Sequence, residues 1–247
     1  FRPDILHAAS PFLLGYQALL AAKKLSIPSV AIFQTDVAGY AKRNQLGSAE
    51  KFAWWVVSKI HNTADLTLVP SEASRTQLED CGVTNLAHWA RGVDLTGFHP
   101  DHRHATDITS FRDTITPRGE IIVGYVGRLA PEKNVERLRA LAEVPGVHVV
   151  VVGDGPSQQG VKDALAGIPH TLTGALRGPE LQHIYGAFDV FVHTGEEETF
   201  GQTLQEAHAS GLPVIAPAIG GPLDLVAHGK DGLHFAPGDD QALAEAV

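Results

Sequence analysis

Val147-His-Val-Val-Val-Val-Gly-Asp-Gly-Pro156 is the stretch on which the architecture of this chain turns. A β-branched apolar run without alternation reads as a strand buried on both faces, and the Gly-Asp-Gly-Pro that ends it reads as a turn. Such strands belong to parallel sheets whose crossovers are helices. Outward from it, residues 121–126, 171–173, 190–193 and 214–216 read as further buried strands. The intervening runs 132–143, 157–165, 179–186 and 201–210 carry a helical period. Earlier in the chain, residues 5–6, 29–33 and 66–69 read as strands and 12–25, 48–63 and 72–80 as helices. The expected fold class is therefore α/β, with two Rossmann-like domains. Residues 1–100 form the first and 119–247 the second, and 101–118 are the linker, because residues 97–118 are rich in His, Asp, Thr and Arg and show no period.

Bulk properties narrow the function classes. With 247 residues and 44% hydrophobic content, the chain is long enough for two domains. No run approaches the roughly 18 apolar residues of a membrane span. A net charge of −9, carried almost entirely by residues 101–247, argues against nucleic acid as a partner. An anionic ligand would then need a focused positive site rather than a basic field. Cys81, the lone cysteine, gives no disulfide framework and fits a reducing cytoplasm. There is no methionine. The opening residues read as the inside of a working segment, so a truncated start is expected, and residues 239–247 read as a capped helix cut short.

Chemistry concentrates at the predicted strand ends. Gly127-Arg-Leu-Ala-Pro-Glu-Lys-Asn134 follows a strand directly. Arg128 offers a planar fork to phosphate oxygens and Lys133 a mobile point charge, although both could equally pair with Glu132 or Glu136. Gly153-Asp-Gly-Pro156 lies where ligands bind in open α/β sheets, but a plain tight turn explains it as well. Gly174-Ala-Leu-Arg177, with Leu176, can lie along a nucleobase, and Gly220-Gly221 would let backbone approach a ligand. In Glu198-Thr-Phe-Gly-Gln-Thr-Leu-Gln-Glu206 a helix start near Gly201 and Gln202 suits a phosphate or sugar edge. Glu198 precedes it, and Glu206 sits about one and a half turns inside, where a carboxylate can accept from a ribose diol. An isolated glutamate pair at this spacing is more often a solvated helix face. It is the convergence of several such loops that speaks for a site.

Other features carry less. The thirteen histidines show no His-Glu-x-x-His or zinc-like spacing, so no metal ligand is expected. His193, ending a strand beside the glutamate-rich loop, reads as a packed histidine or as support for the site. Trp54 and Trp55, near Lys42, Arg43, Lys51 and Lys59, read as core packing, with an interfacial helix as the alternative.

Together these motifs resemble the retaining glycosyltransferases of family 4, of the GT-B fold. The residues that carry the resemblance are Val126–Asn134, the Gly-Asp-Gly-Pro loop, the 198–206 block and Arg91-Gly-Val-Asp-Leu-Thr-Gly-Phe-His-Pro100, across nearly the whole chain. Phe33-Gln-Thr-Asp36 and His193-Thr-Gly-Glu-Glu-Glu-Thr-Phe-Gly-Gln-Thr203 are most similar to actinobacterial GDP-mannose-dependent α-mannosyltransferases. The resemblance implies two facing Rossmann-like domains, the first of them incomplete. It implies that Arg128 and Lys133 hold a donor diphosphate and that Glu198 meets the transferred sugar. Gly127, Gly153, Leu176, Thr199, Phe200, Gly201, Gln202, Thr203 and Glu206 would bind the donor, Glu206 through the ribose.

Gln34 and Asp36 would contact sugar or acceptor. Gln34 stands where many relatives have His, and unlike His it cannot act as acid or base. The implied partners are a nucleotide sugar and a lipid or glycan acceptor, with peripheral contact to a membrane, no cofactor and no metal. The implied location is cytoplasmic, at the inner face of the plasma membrane, in cell-envelope synthesis. A UDP-sugar donor, a sugar-nucleotide epimerase, a glycoside hydrolase and a non-catalytic binding module remain as alternatives. The hydrolase would leave the Arg–Lys motif unexplained.

Overall fold

The computed structural model describes residues 3–34, 47–89 and 91–247. It divides into two compact units, Phe1–Arg91 and Gly92–Val247. Both are parallel α/β sheets, as the GT-B expectation requires.

The first unit has strands β1 (Leu6–Ala8), β2 (Ser29–Ile32), β3 (Leu66–Val69) and β4 (Leu86–His88), paired in the order β1-β2-β3-β4. Helices α1 (Leu14–Lys24), α2 (Gly47–His61) and α3 (Glu72–Asp80) connect them. One core cluster joins Ala8, Leu19, Ala31, Ile60 and Ala64, and another joins Phe33, Val57, Val69, Leu78 and Val83. Ser71 caps α3 by accepting the Ser74 N–H at 3.1 Å. The two tryptophans of α2 part company. Trp54 packs against the second cluster, whereas Trp55 is 55% exposed and stacks on exposed Phe52, with Lys59 over its ring. The core-packing expectation therefore fails for Trp55, which lies on the helix face opposite buried Val57 and Ile60.

The second unit begins with a 3-10 turn, Pro100–His104, and helix α4 (Thr106–Ile115). Strands β5 (Ile121–Val126), β6 (Val147–Val152), β7 (His170–Gly174), β8 (Val190–Val192), β9 (Val214–Pro217) and β10 (Gly232–Phe235) form one sheet, ordered β10-β9-β8-β5-β6-β7. Between them run α5 (Gln158–Ala164), α6 (Gly178–Ile184), α7 (Gln202–Ala209) and α8 (Pro222–Leu225), and α9 (Asp240–Ala246) follows β10. Every residue of β6 is buried, because apolar clusters cover both faces. One cluster includes Phe98, Ile108, Tyr185, Phe188 and Leu204, the other Leu138, Leu141, Val161, Leu165 and Leu243. Asp239 caps α9 through the Ala242 N–H at 2.9 Å, as its sequence suggested.

Two expectations need correction. Residues 101–118, expected as a linker, are largely helical and belong with the second unit. Ile108, Phe111 and Ile115 form a stripe at i, i+3 and i+7 that packs on its core. Asp189 fastens the same helix: it accepts from Arg112 at 3.1 Å, from Arg103 and from the Ile122 N–H at 2.8 Å. Residues 132–143 form two 3-10 segments, Pro131–Lys133 and Val135–Glu143, divided by left-handed Asn134. Their buried residues Val135, Leu138 and Leu141 recur at threes, the period of a 3-10 helix. Among the described residues no helix is long and apolar enough to cross a membrane.

Candidate donor site

In the second sheet the strand order reverses between β5 and β8, which pair at Val123–Val190 and Gly124–Phe191. Ligands of open α/β sheets bind beyond the carboxyl ends of the strands at such a switch point. The loop after β5 carries Arg128 and Lys133, and the loop after β8 carries His193 and Glu198. The structure brings the two loops together. Lys133 Nζ donates to Glu198 Oε2 at 2.8 Å, and the Thr194 hydroxyl donates to the Lys133 carbonyl at 2.7 Å. Burial alone would raise the Glu198 carboxyl, but Lys133, His193 and the Phe200 N–H hold it below its ordinary value.

Neighbouring segments fix the Glu198 loop. Its carbonyl accepts the Gly221 N–H at 2.8 Å, and Glu196 takes Arg137 at 2.7 Å and the Gly238 N–H at 2.8 Å. A Cβ on Gly220 would come within 2.6 Å of the Glu198 carbonyl, and one on Gly221 within 2.4 Å of the Phe200 carbonyl. The close approach foreseen for this glycine pair is thus to the Glu198–Phe200 main chain.

Gly127, Arg128, Gly153 and Leu176 line one cavity of about 330 Å³, together with Asp154 and Leu181. Its glycines have a physical reason. Gly153 holds φ 143°, and a Cβ there would meet the Gly127 carbonyl at 1.9 Å. The Leu129 N–H reaches the Asp154 carbonyl at 2.8 Å, so the loops after β5 and β6 are laced together. Arg128 forms an ion pair with Glu132, one of the pairings its sequence allowed, while remaining 65% exposed.

Helix α7 starts where the sequence put it, with Gly201 at its N-cap in the left-handed region. The N–H groups of Gln202 and Thr203 therefore fall in its first turn, where no intrahelical acceptor exists. Phe200 is buried, Thr199 and Thr203 are half-buried, and the Gln202 side chain donates to the Gly92 carbonyl at 3.2 Å. Glu206 accepts the Tyr185 hydroxyl at 2.7 Å, and burial nevertheless raises its carboxyl. Sequence reasoning missed Tyr185 and Thr194. Tyr185 lies in a run read only as helix, and Thr194 in the quoted 193–203 motif without a role of its own; only the fold reveals their partners.

Gln34 belongs to the first unit, where its amide donates to the Ala9 carbonyl at 3.1 Å and lines a separate 200 Å³ cavity with His61. Asp36, Lys42 and Arg43 lie outside the described residues. Among the described residues no group of three or more His, Cys, Asp or Glu side chains is placed to hold a metal ion.

A paired lysine and glutamate at the switch point, beside glycine-walled space and a helix start, suit an anionic ligand with a polar appendage. Residues 107–247 match the family described as Glycosyl transferases group 1, and residues 1–96 match Glycosyltransferase Family 4. The chain belongs to the group 1 glycosyl transferases. Similar members of this glycosyltransferase family include the GDP-mannose-dependent alpha-mannosyltransferase of Mycolicibacterium smegmatis, 49% identical over 100% of this chain and 64% of that protein. The Mycobacterium tuberculosis protein of the same name is 45% identical over the same shares. The chain thus spans 64% of the length of these relatives. Among solved structures, Anabaena HepE in complex with UDP superimposes with a TM-score of 0.84 at 25% identity, over 98% of this chain and 67% of that one. Sucrose-phosphate synthase from Thermosynechococcus elongatus gives a TM-score of 0.80 at 26% identity, over 98% and 63%.

Proposed function

We propose that this chain supplies the donor-binding machinery of a retaining α-mannosyltransferase that uses GDP-mannose. The observation that carries the reading is the Lys133–Glu198 pair at the switch point, in a chain 45–49% identical to GDP-mannose-dependent alpha-mannosyltransferases. In this reading Arg128 and Lys133 bind the diphosphate and stabilise it as it leaves. Glu198 orients the mannose, the start of α7 and Thr199 contribute main-chain donors, and Glu206 takes the ribose. Leu176 flanks the base over the Gly127–Gly153 floor.

The acceptor in this reading is a lipid or glycan hydroxyl of the cell envelope, reached at the cytoplasmic face of the plasma membrane. The exposed Phe52–Trp55 stack, with exposed Lys51 and Lys59 on the same helix, supports peripheral contact with a bilayer. The cations of the chain itself stand in for a metal, so excess EDTA should leave donor affinity unchanged. A fall in affinity that added magnesium reverses would refute that part.

A UDP-sugar donor is the second reading, favoured by the UDP-bound HepE structure with its TM-score of 0.84. Calorimetric titration with GDP, UDP, ADP and GDP-mannose separates the two. Selective GDP binding is the expected result, UDP preference would remove mannose from the proposal, and silence towards all of them would remove the donor site.

A further inference from the structure

Glu198 Oε2 has two neighbours. Lys133 Nζ sits at 2.8 Å, and His193 Nε2 sits at 3.8 Å, beyond hydrogen-bond range. The His193 ring is 2% exposed. Among the described residues neither ring nitrogen has a partner with full hydrogen-bond geometry, and the only group that engages the ring as a hydrogen-bond partner is the Gly195 backbone. Burial pushes the imidazole down to about 4, so at neutral pH it is uncharged, with one N–H to give. A polar ring that meets at most one backbone partner is a poor filler for a core, where Phe or Leu would pack without an unsatisfied nitrogen.

The donor reading above, on which this inference rests, gives Lys133 a second partner. If its ammonium turns towards a diphosphate, the Glu198 carboxylate stays buried and loses its counter-charge, a costly state. The Phe200 N–H remains, but it is a neutral donor and no counter-charge. His193 is poised on the same oxygen, and closing about 1 Å would bring it into bonding range. Gly195 leaves room for both side chains to shift, since a Cβ there would stand 3.2 Å from His193 Nε2 and 3.4 Å from Lys133 Cδ.

We propose that His193 is a positioning residue, donating Nε2–H to Glu198 Oε2 when Lys133 engages the donor diphosphate. The carboxylate then stays ionised and aimed at the transferred sugar. Nothing covalent is involved: one hydrogen-bond donor replaces another on the same oxygen.

The test is calorimetric titration of the chain and its variants with GDP and with GDP-mannose. His193→Phe should keep GDP affinity within about twofold but lose about tenfold for GDP-mannose, the scale of one hydrogen bond to a charged group. His193→Gln, whose amide can reach the same oxygen, should recover most of that loss. If His193→Phe does not fold, His193→Asn, polar but too short to reach Glu198, should show the same selective loss. Equal losses for both ligands would make the ring merely structural, and unchanged GDP-mannose affinity would equally overturn the proposal. An unsubstituted chain that binds neither ligand would defeat the donor reading itself, a result distinct from both.

Discussion

Lys133→Ala should reduce sugar transfer by about 10²–10³-fold, the scale of removing one preorganised electrostatic donor from a transition state. Two jobs end together in the proposed mechanism: the charge that stabilises the leaving diphosphate and the counter-ion of Glu198 in the empty site. The cost to the fold should be smaller, because the Glu198 carboxyl left without its counter-charge can take up a proton. The Lys133 main chain stays anchored by Thr194, and the side chain contributes an ion pair rather than core packing. The second loss leaves a signature. Lys133 is the leading influence holding the Glu198 carboxyl below its ordinary value against burial. Its removal should move that titration upward, so residual activity of the variant should fall off at a higher pH than in the parent. Steady-state kinetics across pH, beside a thermal melt, checks both parts. A loss of transfer matched by a comparable loss of stability would assign Lys133 a structural role instead.

Asp189→Ala should have the larger effect on the fold, about 3 kcal/mol, because this half-buried carboxylate is the shared acceptor of two arginines and a main-chain N–H. For a unit of this size that corresponds to roughly 6–12 °C in melting temperature. The substitution strands the Ile122 N–H and leaves the Arg103 and Arg112 guanidinium groups only the Phe188 and Ala187 carbonyls, after all three had converged on this carboxylate. Burial would raise the Asp189 carboxyl, but the Ile122 N–H and both arginines outweigh it and hold it below its ordinary value. A carboxyl depressed in the folded state contributes stability that is complete above its unfolded value, about 4, and is lost as pH falls towards the folded one. The parent should therefore lose stability below about pH 4, and the variant should lose less over the same interval. Denaturant melts at neutral and acid pH measure this; parallel curves for the two proteins would exclude Asp189 as the source.

Which parts were legible in the sequence follows from where each signal resides. β5, β6 and β3 match their expected bounds, because their runs are apolar at nearly every position, Thr67 and His148 being the polar exceptions. β4 and β10 escaped notice. Leu86-Ala-His88 and Gly232-Leu-His-Phe235 lie at sheet edges with only one neighbouring strand, and their composition carries little strand signal. The stripe of Ile108, Phe111 and Ile115 was present to be read but was masked by the charged residues between. The loops bearing Arg128, Lys133 and Glu198 were visible as motifs. That Lys133 and Glu198 touch depends on β5 and β8 being adjacent, which chain order alone does not reveal. The Tyr185–Glu206 bond likewise joins two elements whose contact only the fold supplies.

The glycine-laced loops have a consequence for how this family member can change. Where Gly127 and Gly153 meet, main chain faces main chain, and no larger side chain fits between them. A surface built that way has no side chains to exchange, so mutation cannot give it a new shape or charge. Any drift towards a different donor has to work through what stands around that floor, such as Arg128, Asp154, Leu176 and Leu181. Sterics hold the floor fixed while the walls are free to vary, which confines the search for altered donor choice to a few positions.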